Sequence, residues 1–230
     1  MKKLCVIPAR GGSKRIPRKN VKPFLGRPMI AYSIGAALDS GLFDRVVVST
    51  DDEEIAAVAR DHGADVPFLR PAELANDHQG TDAVVVHAID WFAAQGEVYD
   101  ATCCVYATAP LLDPERLTEG WERLQEPGRR YAFSVTSYAF AIQRALRRTD
   151  NGGVTMFWPE NRMVRSQDLE PAYHDAAQFY WGWSDAFRNK EPLFSPIAAP
   201  VILPRTEVVD IDTPEDWDLA ELTYRILKSK

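Results

Sequence analysis

Short aliphatic and β-branched runs alternate, over the first half of the chain, with stretches whose apolar positions recur every three or four residues. "KLCVIPA" predicts a strand from residue 3, and "PMIAYSIGAALDSG" predicts a helix that begins at Pro28 and stops before Gly41. "RVVVST" reads as a second strand, and "DDEEIAAVARDHG" as a helix with acids in its first turn and Gly63 as its stop. Asp51 and Asp52 are taken as the natural start of that helix. "TDAVVVHAIDWFAAQG" predicts a third helix capped by Thr81 or Asp82, "ATCCVYATAP" an apolar strand, and "PERLTEGWERLQ" a further helix. Continuous apolar strands joined by helices imply an α/β fold, with a parallel sheet covered on both faces.

The pattern changes near residue 131. "YAFSVTSY", "VTMFW", "QFYWGW" and "PVILP" are closely spaced strands with few helices between them, which predicts a mixed or antiparallel region. "VVDID" is expected to be a last strand, and "PEDWDLAELTYRILKS" a last helix. No repeat, linker or low-complexity tract interrupts the 230 residues, so a single domain is expected over 1–230.

Composition narrows the class. The chain is 46% hydrophobic and 26% charged, with a net charge of -6, an ordinary globular balance that disfavours a general nucleic-acid binder. No apolar run approaches the roughly 18 to 20 residues of a membrane span, and that of "MKKLCVIPARGG" is too short for a signal-peptide core. Cys5, Cys103 and Cys104 sit in strand-like runs without metal-ligand spacing, which favours reduced, packed thiols and a cytoplasmic location.

Charge is unevenly placed. Nine of the 27 basic residues fall in residues 1–38, ahead of the first acid, Asp39. Most of them lie in "IPARGGSKRIPRKNVKPFLGRP", directly after the first predicted strand, where an open α/β sheet places its ligand. Gly11 and Gly12 let backbone N–H groups converge on an oxyanion, Arg10 can fork two phosphate oxygens, and Lys14 and Lys19 add point charges. Neither a P-loop nor the dinucleotide fingerprint is present, so the expected ligand is a small polyanion on a different kind of cradle.

"VVDIDTPEDW" is the second informative stretch. On a strand, Asp210 and Asp212 would share a face with Cα atoms about 7 Å apart. Such a pair suits Mg²⁺, which takes one or two protein carboxylates and completes its shell with substrate phosphates. Turn and capping work is the competing explanation, and it accounts fully for "DTPED". His62, His78 and His87 are assigned to packing or surface.

Taken together, the loop, "VVVSTDD", "LRPAEL", "YATAP" and "VDIDTPEDW" resemble the cytidylyltransferases that activate nonulosonic acids as CMP-sugars, nearly end to end. Within that family, "FSVTSYAFAIQRAL", "MFWPE", "RSQDLEPAYHDAAQFYWG" and "LFSPIAAPVILPR" resemble the branch acting on pseudaminic acid. Related branches take legionaminic or N-acetylneuraminic acid. Octulosonic acid is disfavoured, because "ARGGSKR" stands where those enzymes carry "ARYxSTR". A non-catalytic nucleotide or sugar binder is the rival of a different class.

The resemblance implies a Rossmann-like nucleotidyltransferase fold of the GT-A-like kind: a three-layer sandwich with a mixed central sheet and a β-rich second-half insertion. It divides the domain into a nucleotide-binding half (about 1–130), a sugar-binding and dimerisation elaboration (about 131–207), and a metal-binding end (208–230). It also implies CTP as substrate, one or two Mg²⁺ ions on Asp210 and Asp212, and a homodimer. The nucleotide is assigned to Ala9, Arg10, Gly11, Gly12, Ser13, Lys14, Lys19, Asn20, Arg70, Thr81 and Asp82, with Arg10, Lys19 and Asp212 catalytic.

The sugar is assigned to Tyr106, Thr108, Gln143, Arg144, Arg165, Gln167, His174, Asp175, Gln178 and Tyr180. Tyr106 stands where the sialic acid branch has Gln, and its apolar face suits a deoxy sugar carrying a methyl group. Either Arg144 or Arg165 is expected to meet the sugar carboxylate. Ala177 occupies a place where Gly is expected.

Overall fold

The computed structural model describes residues 1–74 and 80–229; His78 lies outside them. Strand β1 (Lys3–Pro8) alternates between two cores, Cys5 and Ile7 on one side, Leu4 and Val6 on the other. That period of two lets one strand be buried on both faces. The basic loop then leads to a two-residue antiparallel hairpin, β2 (Pro23–Phe24) with β3 (Arg27–Pro28), turned by Leu25 and Gly26 at positive φ. Helix α1 (Met29–Asp39) begins after Pro28 as expected. Strand β4 (Arg45–Ser49) runs parallel to β1, and α2 (Glu53–Asp61) follows, capped by the Asp52 carboxylate accepting from the N–H groups of Glu54 and Ile55.

Helix α3 (Thr81–Ala94) has Gly80 at its N-cap and no side-chain cap. Thr81 is therefore the first helical residue, and neither it nor Asp82 caps the helix. Its hydroxyl instead lies 3.4 Å from the Tyr106 hydroxyl. Strand β5 (Ala101–Val105) is wholly buried and parallel to β1, and α4 (Pro114–Leu124) is capped by Asp113. Gly120 of α4 is required by close approach: a Cβ there would come within 2.7 Å of the Phe179 and Trp181 rings.

The second half contains β6 (Tyr131–Ser137), a separate small hairpin of β7 (Leu146–Arg148) with β8 (Val154–Met156), β9 (Tyr173–Trp183), α5 (Ser184–Arg188), β10 (Ala198–Leu203) and α6 (Pro214–Lys228). The main sheet has the order β10-β6-β9-β5-β1-β4. β9 lies antiparallel to both β5 and β6, while β10 is parallel to β6, so the sheet is mixed. The β6–β9 register shifts between Phe133 and Val135, beside Ala177 at φ 52. A bulge that places its residue in the left-handed region explains why glycine is expected there.

Helices α1, α2 and α4 supply Ile34, Ile55 and Leu117 to one core, and α3 and α5 supply Phe92 and Phe187 to the other. These are the outer layers of a three-layer sandwich. A third cluster joins the chain's beginning to its end: Ile16, Phe24 and Met29 pack on Ile211, Trp217 and Ala220. Phe24 meets Trp217 edge-on with ring centroids 5.5 Å apart. This cluster corrects the expectation for "VVDID". No ladder forms at 208–212, because Ile211 is buried under the basic loop and the Asp212 N–H donates to the Asp216 carboxylate in the cap of α6. Asp210 and Asp212 still flank Ile211, and the packing beneath carries Asp212 against the loop, beside Arg15 and Lys19.

Candidate active site

A cavity of about 330 Å³ opens where β1 and β5 end. From the loop it is lined by Arg10, Ser13, Lys14, Lys19 and Asn20, and from elsewhere by Arg70, Thr81, Tyr106, Thr108 and Asp212. These ten of the expected residues come from distant parts of the chain. Arg15, Leu74 and Val84 also line it and were not among the expected residues. Arg15 lies inside the basic run, and the two apolar residues offer a surface for a flat ring.

The basic cluster divides into two sets. Arg10, Lys14, Arg15 and Lys19 face the cavity, whereas three cations serve the protein. Arg18, at φ 55, binds the carboxylates of Asp52 and Glu54 at the start of α2; its Nη1 lies 2.5 Å from Asp52. The hydrogen bonds with Arg18 hold the Asp52 carboxyl at about 2. The Lys22 ammonium sits 4.4 Å from the centre of the Trp217 ring, and the Arg27 guanidinium 5.1 Å from that of Tyr32.

The glycines do less than expected as bare anion binders. The Gly11 N–H donates to Asp51 Oδ1 at 3.1 Å, and a Cβ on Gly11 would meet Asp52 Oδ2 at 2.6 Å. Gly11 is thus small so that the loop can press against the acidic start of α2. Ala9 is buried with its N–H donating to the Ser49 carbonyl, and Gly12 is exposed outside the cavity lining. Asn20 is a brace: its Nδ2 donates to the Arg10 carbonyl at 2.9 Å. Asp82 is exposed on the first turn of α3 and does not line the cavity.

Opposite the loop, Asp212 Oδ1 lies 2.9 Å from Arg15 Nη2 and 3.6 Å from Lys19 Nζ. Lys19 Nζ also donates to the Ile211 carbonyl at 2.6 Å, tying the loop to the late segment. Burial raises the Asp210 carboxyl above its ordinary range, and the neighbouring Asp212 charge adds to the rise. Two carboxylates that repel each other, one of them already drawing two cations, are a donor set that a divalent cation suits. Among the described residues no group of three or more His, Cys, Asp or Glu is placed to hold a metal. Asp212 lines the cavity and Asp210 does not; as a donor set, two carboxylates suit Mg²⁺, which completes its shell with substrate phosphates.

Behind Tyr106 lies a buried relay. The Tyr106 and Tyr180 rings are 5.2 Å apart, and the Tyr180 hydroxyl donates to Asp175 Oδ2 at 2.6 Å. Burial raises both phenols above their ordinary range, so each keeps its proton. Asp175 also accepts from the Ala177 N–H at 2.8 Å, across the bulge.

The remaining sugar candidates do not gather here. Gln178 is buried with Nε2 donating to the Glu207 carbonyl, and the His174 ring nitrogen Nδ1 sits 2.9 Å from the Asp175 carbonyl. Gln143 Nε2 donates to the Glu170 carbonyl and Arg144 Nη1 to Ser166 Oγ. Arg165 is 72% exposed and paired with Asp168. Arg144 and Gln167 line a second groove, built from residues 137–145 and 166–172, that shares no lining residue with the first.

Residues 4–192 match the family described as Cytidylyltransferase. The chain is 47% identical, over 98% of its length and 97% of the relative's, to pseudaminic acid cytidylyltransferase of Campylobacter jejuni. It is 33% identical to CMP-N,N'-diacetyllegionaminic acid synthase of Legionella pneumophila, over 96% of this chain and 95% of that one. The solved structure of CMP:2-keto-3-deoxy-manno-octonic acid synthetase complexed with CTP superposes with a TM-score of 0.72 at 17% identity, covering 100% of both chains, a likeness of fold. A sheet ending in a cationic loop, matched over most of its length to this family, has one placement: the chain belongs to the cytidylyltransferase family.

Proposed function

We propose that the chain transfers CMP from CTP to the anomeric hydroxyl of an acidic nonulosonic sugar, pseudaminic acid foremost, releasing pyrophosphate. The observation that carries this reading is one cavity holding Arg10, Lys14 and Lys19 on one side and Asp212 on the other. A triphosphate is the ligand whose charge that arrangement neutralises. The sugar follows from the relative in Campylobacter and from Tyr106, whose ring offers an apolar face to a methyl group.

The hydroxyl oxygen attacks the α-phosphorus in line, and the bond to the pyrophosphate oxygen breaks. Arg10 and Lys19 hold the phosphates and stabilise charge as it builds on the leaving group, with Lys14 and Ser13 beside them. Arg70 and Thr81 sit at the base end, with Leu74 and Val84 as its apolar floor. Asp210 and Asp212 would hold Mg²⁺, which when bound neutralises phosphate charge and acidifies the attacking hydroxyl. Asp212 also orients Lys19 and Arg15 toward the phosphates. Tyr106 and Thr108 face the sugar, and Tyr180 and Asp175 keep the Tyr106 ring in place.

The chain is further proposed to pair with a second copy through the second-half insertion, where Phe140 is 88% and Met163 87% exposed. The fully buried thiols suit a reducing cytoplasm. Pyrophosphate release should be measured with CTP, Mg²⁺ and each of pseudaminic, legionaminic and N-acetylneuraminic acid. The largest kcat/KM is expected with pseudaminic acid; CTP binding without release for any sugar would leave the non-catalytic reading.

A further inference from the structure

Asp51 lies in the acidic start of α2, where the sequence assigns it only to the helix terminus. Asp52 alone caps that helix. The Asp51 carboxylate instead bridges two parts of the site: its Oδ1 accepts from the Gly11 N–H at 3.1 Å and from Arg70 Nη2 at 3.3 Å. Arg70 is 6% exposed and lines the cavity, and its backbone N–H is fastened to the Thr50 carbonyl at 2.7 Å. Its Nε is buried with no partner among the described residues. Burial works against the Arg70 charge, and Asp51 is the carboxylate that offsets it.

A guanidinium held at one corner, with a buried donor left over, is a fixed reader of adjacent acceptors. Cytosine presents such a pair, O2 beside unprotonated N3. Uracil carries a hydrogen on N3, which would set donor against donor. We infer that Asp51 is a positioning residue that, by clamping Arg70 to the phosphate loop, sets the enzyme's preference for cytosine over uracil nucleotides. This rests on the nucleotide placement proposed above. Asp51 does not line the cavity; it acts through Arg70, and through Gly11 it ties base reading to the loop that grips the phosphates.

The test compares CTP with UTP in the wild type, Asp51→Asn and Asp51→Glu, with kcat/KM from pyrophosphate release and affinities from calorimetry. Asn keeps an acceptor for Gly11 but removes the charge facing Arg70. The CTP:UTP ratio is expected to fall by about tenfold or more, as for loss of a charged hydrogen bond, with thermal stability recorded alongside. Glu keeps the charge displaced by one methylene and should lose less. Arg70→Lys combined with Asp51→Asn should discriminate no worse than Arg70→Lys alone. An unchanged ratio in every folded Asp51 variant, or an equal loss for both nucleotides, overturns the inference. Failure of the wild type to release pyrophosphate from CTP would refute the transfer reading separately, and the calorimetric ratio would still decide the role of Asp51.

Discussion

The basic loop and the second-half insertion are both rich in polar candidates, but they use them differently. In the loop, four cations turn inward to one cavity, and the other three are anchors for the backbone that shapes it. In the insertion, Gln143, Arg144 and Arg165 are occupied by local partners, and apolar side chains such as Phe140 face outward. The loop is held on both sides, by α2 through Arg18 and by the late segment through Lys19 and Ile16. The insertion's small hairpin pairs within itself and adds no strand to the main sheet. Preorganised charge belongs to the first region, and exposed apolar side chains, on which the proposed pairing would rest, belong to the second.

The contrast breaks most sharply on turnover. Arg10→Ala and Lys19→Ala should each lower kcat by on the order of tenfold to thousandfold with an unchanged circular dichroism spectrum. Arg165→Ala should change kcat/KM by less than about twofold, as for an exposed surface site. A loss in Arg165→Ala matching those in the loop would erase the distinction.

Asp212→Asn comes next. Its Mg²⁺ requirement, titrated by pyrophosphate release, should shift upward by about tenfold if a ligand is lost; a superimposable titration would remove Asp212 from the metal site.

The anchor of the loop is sharpened by pH. Because the folded-state Asp52 carboxyl is held low, at about 2, its contribution is present above the ordinary carboxylate range and lost as pH falls toward 2. Arg18 is 39% exposed and screened by solvent, so Asp52→Asn should cost only about 1 to 2 kcal/mol at pH 7. The difference from wild type should vanish near pH 2 in urea melts; a constant difference would mean that the charge is irrelevant.

The smallest effect belongs to the bulge. Ala177→Gly relieves a left-handed backbone and should stabilise by about 0.5 to 1 kcal/mol, raising Tm by about 1 to 4 °C. A lower Tm would show that the Ala177 methyl contributes more by packing than its backbone conformation costs.

Much of this was legible in the chain. The alternation in "KLCVIP" and the helical period in "IGAALD" report burial directly, because side-chain direction follows local backbone geometry. The loop was legible because seven cations without an acid have to be balanced by something. Asp51 was not, since "DDEE" reads the same whether its first acid caps a helix or crosses to Arg70. Nor was the break in "VVDID", where the burial of Ile211 under the loop outweighs strand propensity. That His174, Gln178 and Arg165 do not line the main cavity was not legible either, because a place in a motif says nothing about which cavity a side chain faces.

By itself, then, the sequence determined most of the strands and helices, that positive charge gathers after the first strand, and that two acids lie near the end. Only the tertiary structure decided which cations face the cavity, which acid holds Arg70, and that Asp212 stands across from Lys19. The reason is range: secondary structure is written in contacts a few residues apart, whereas the site is made by groups such as Lys19 and Ile211, 192 positions apart, that meet only when the core beneath them is packed.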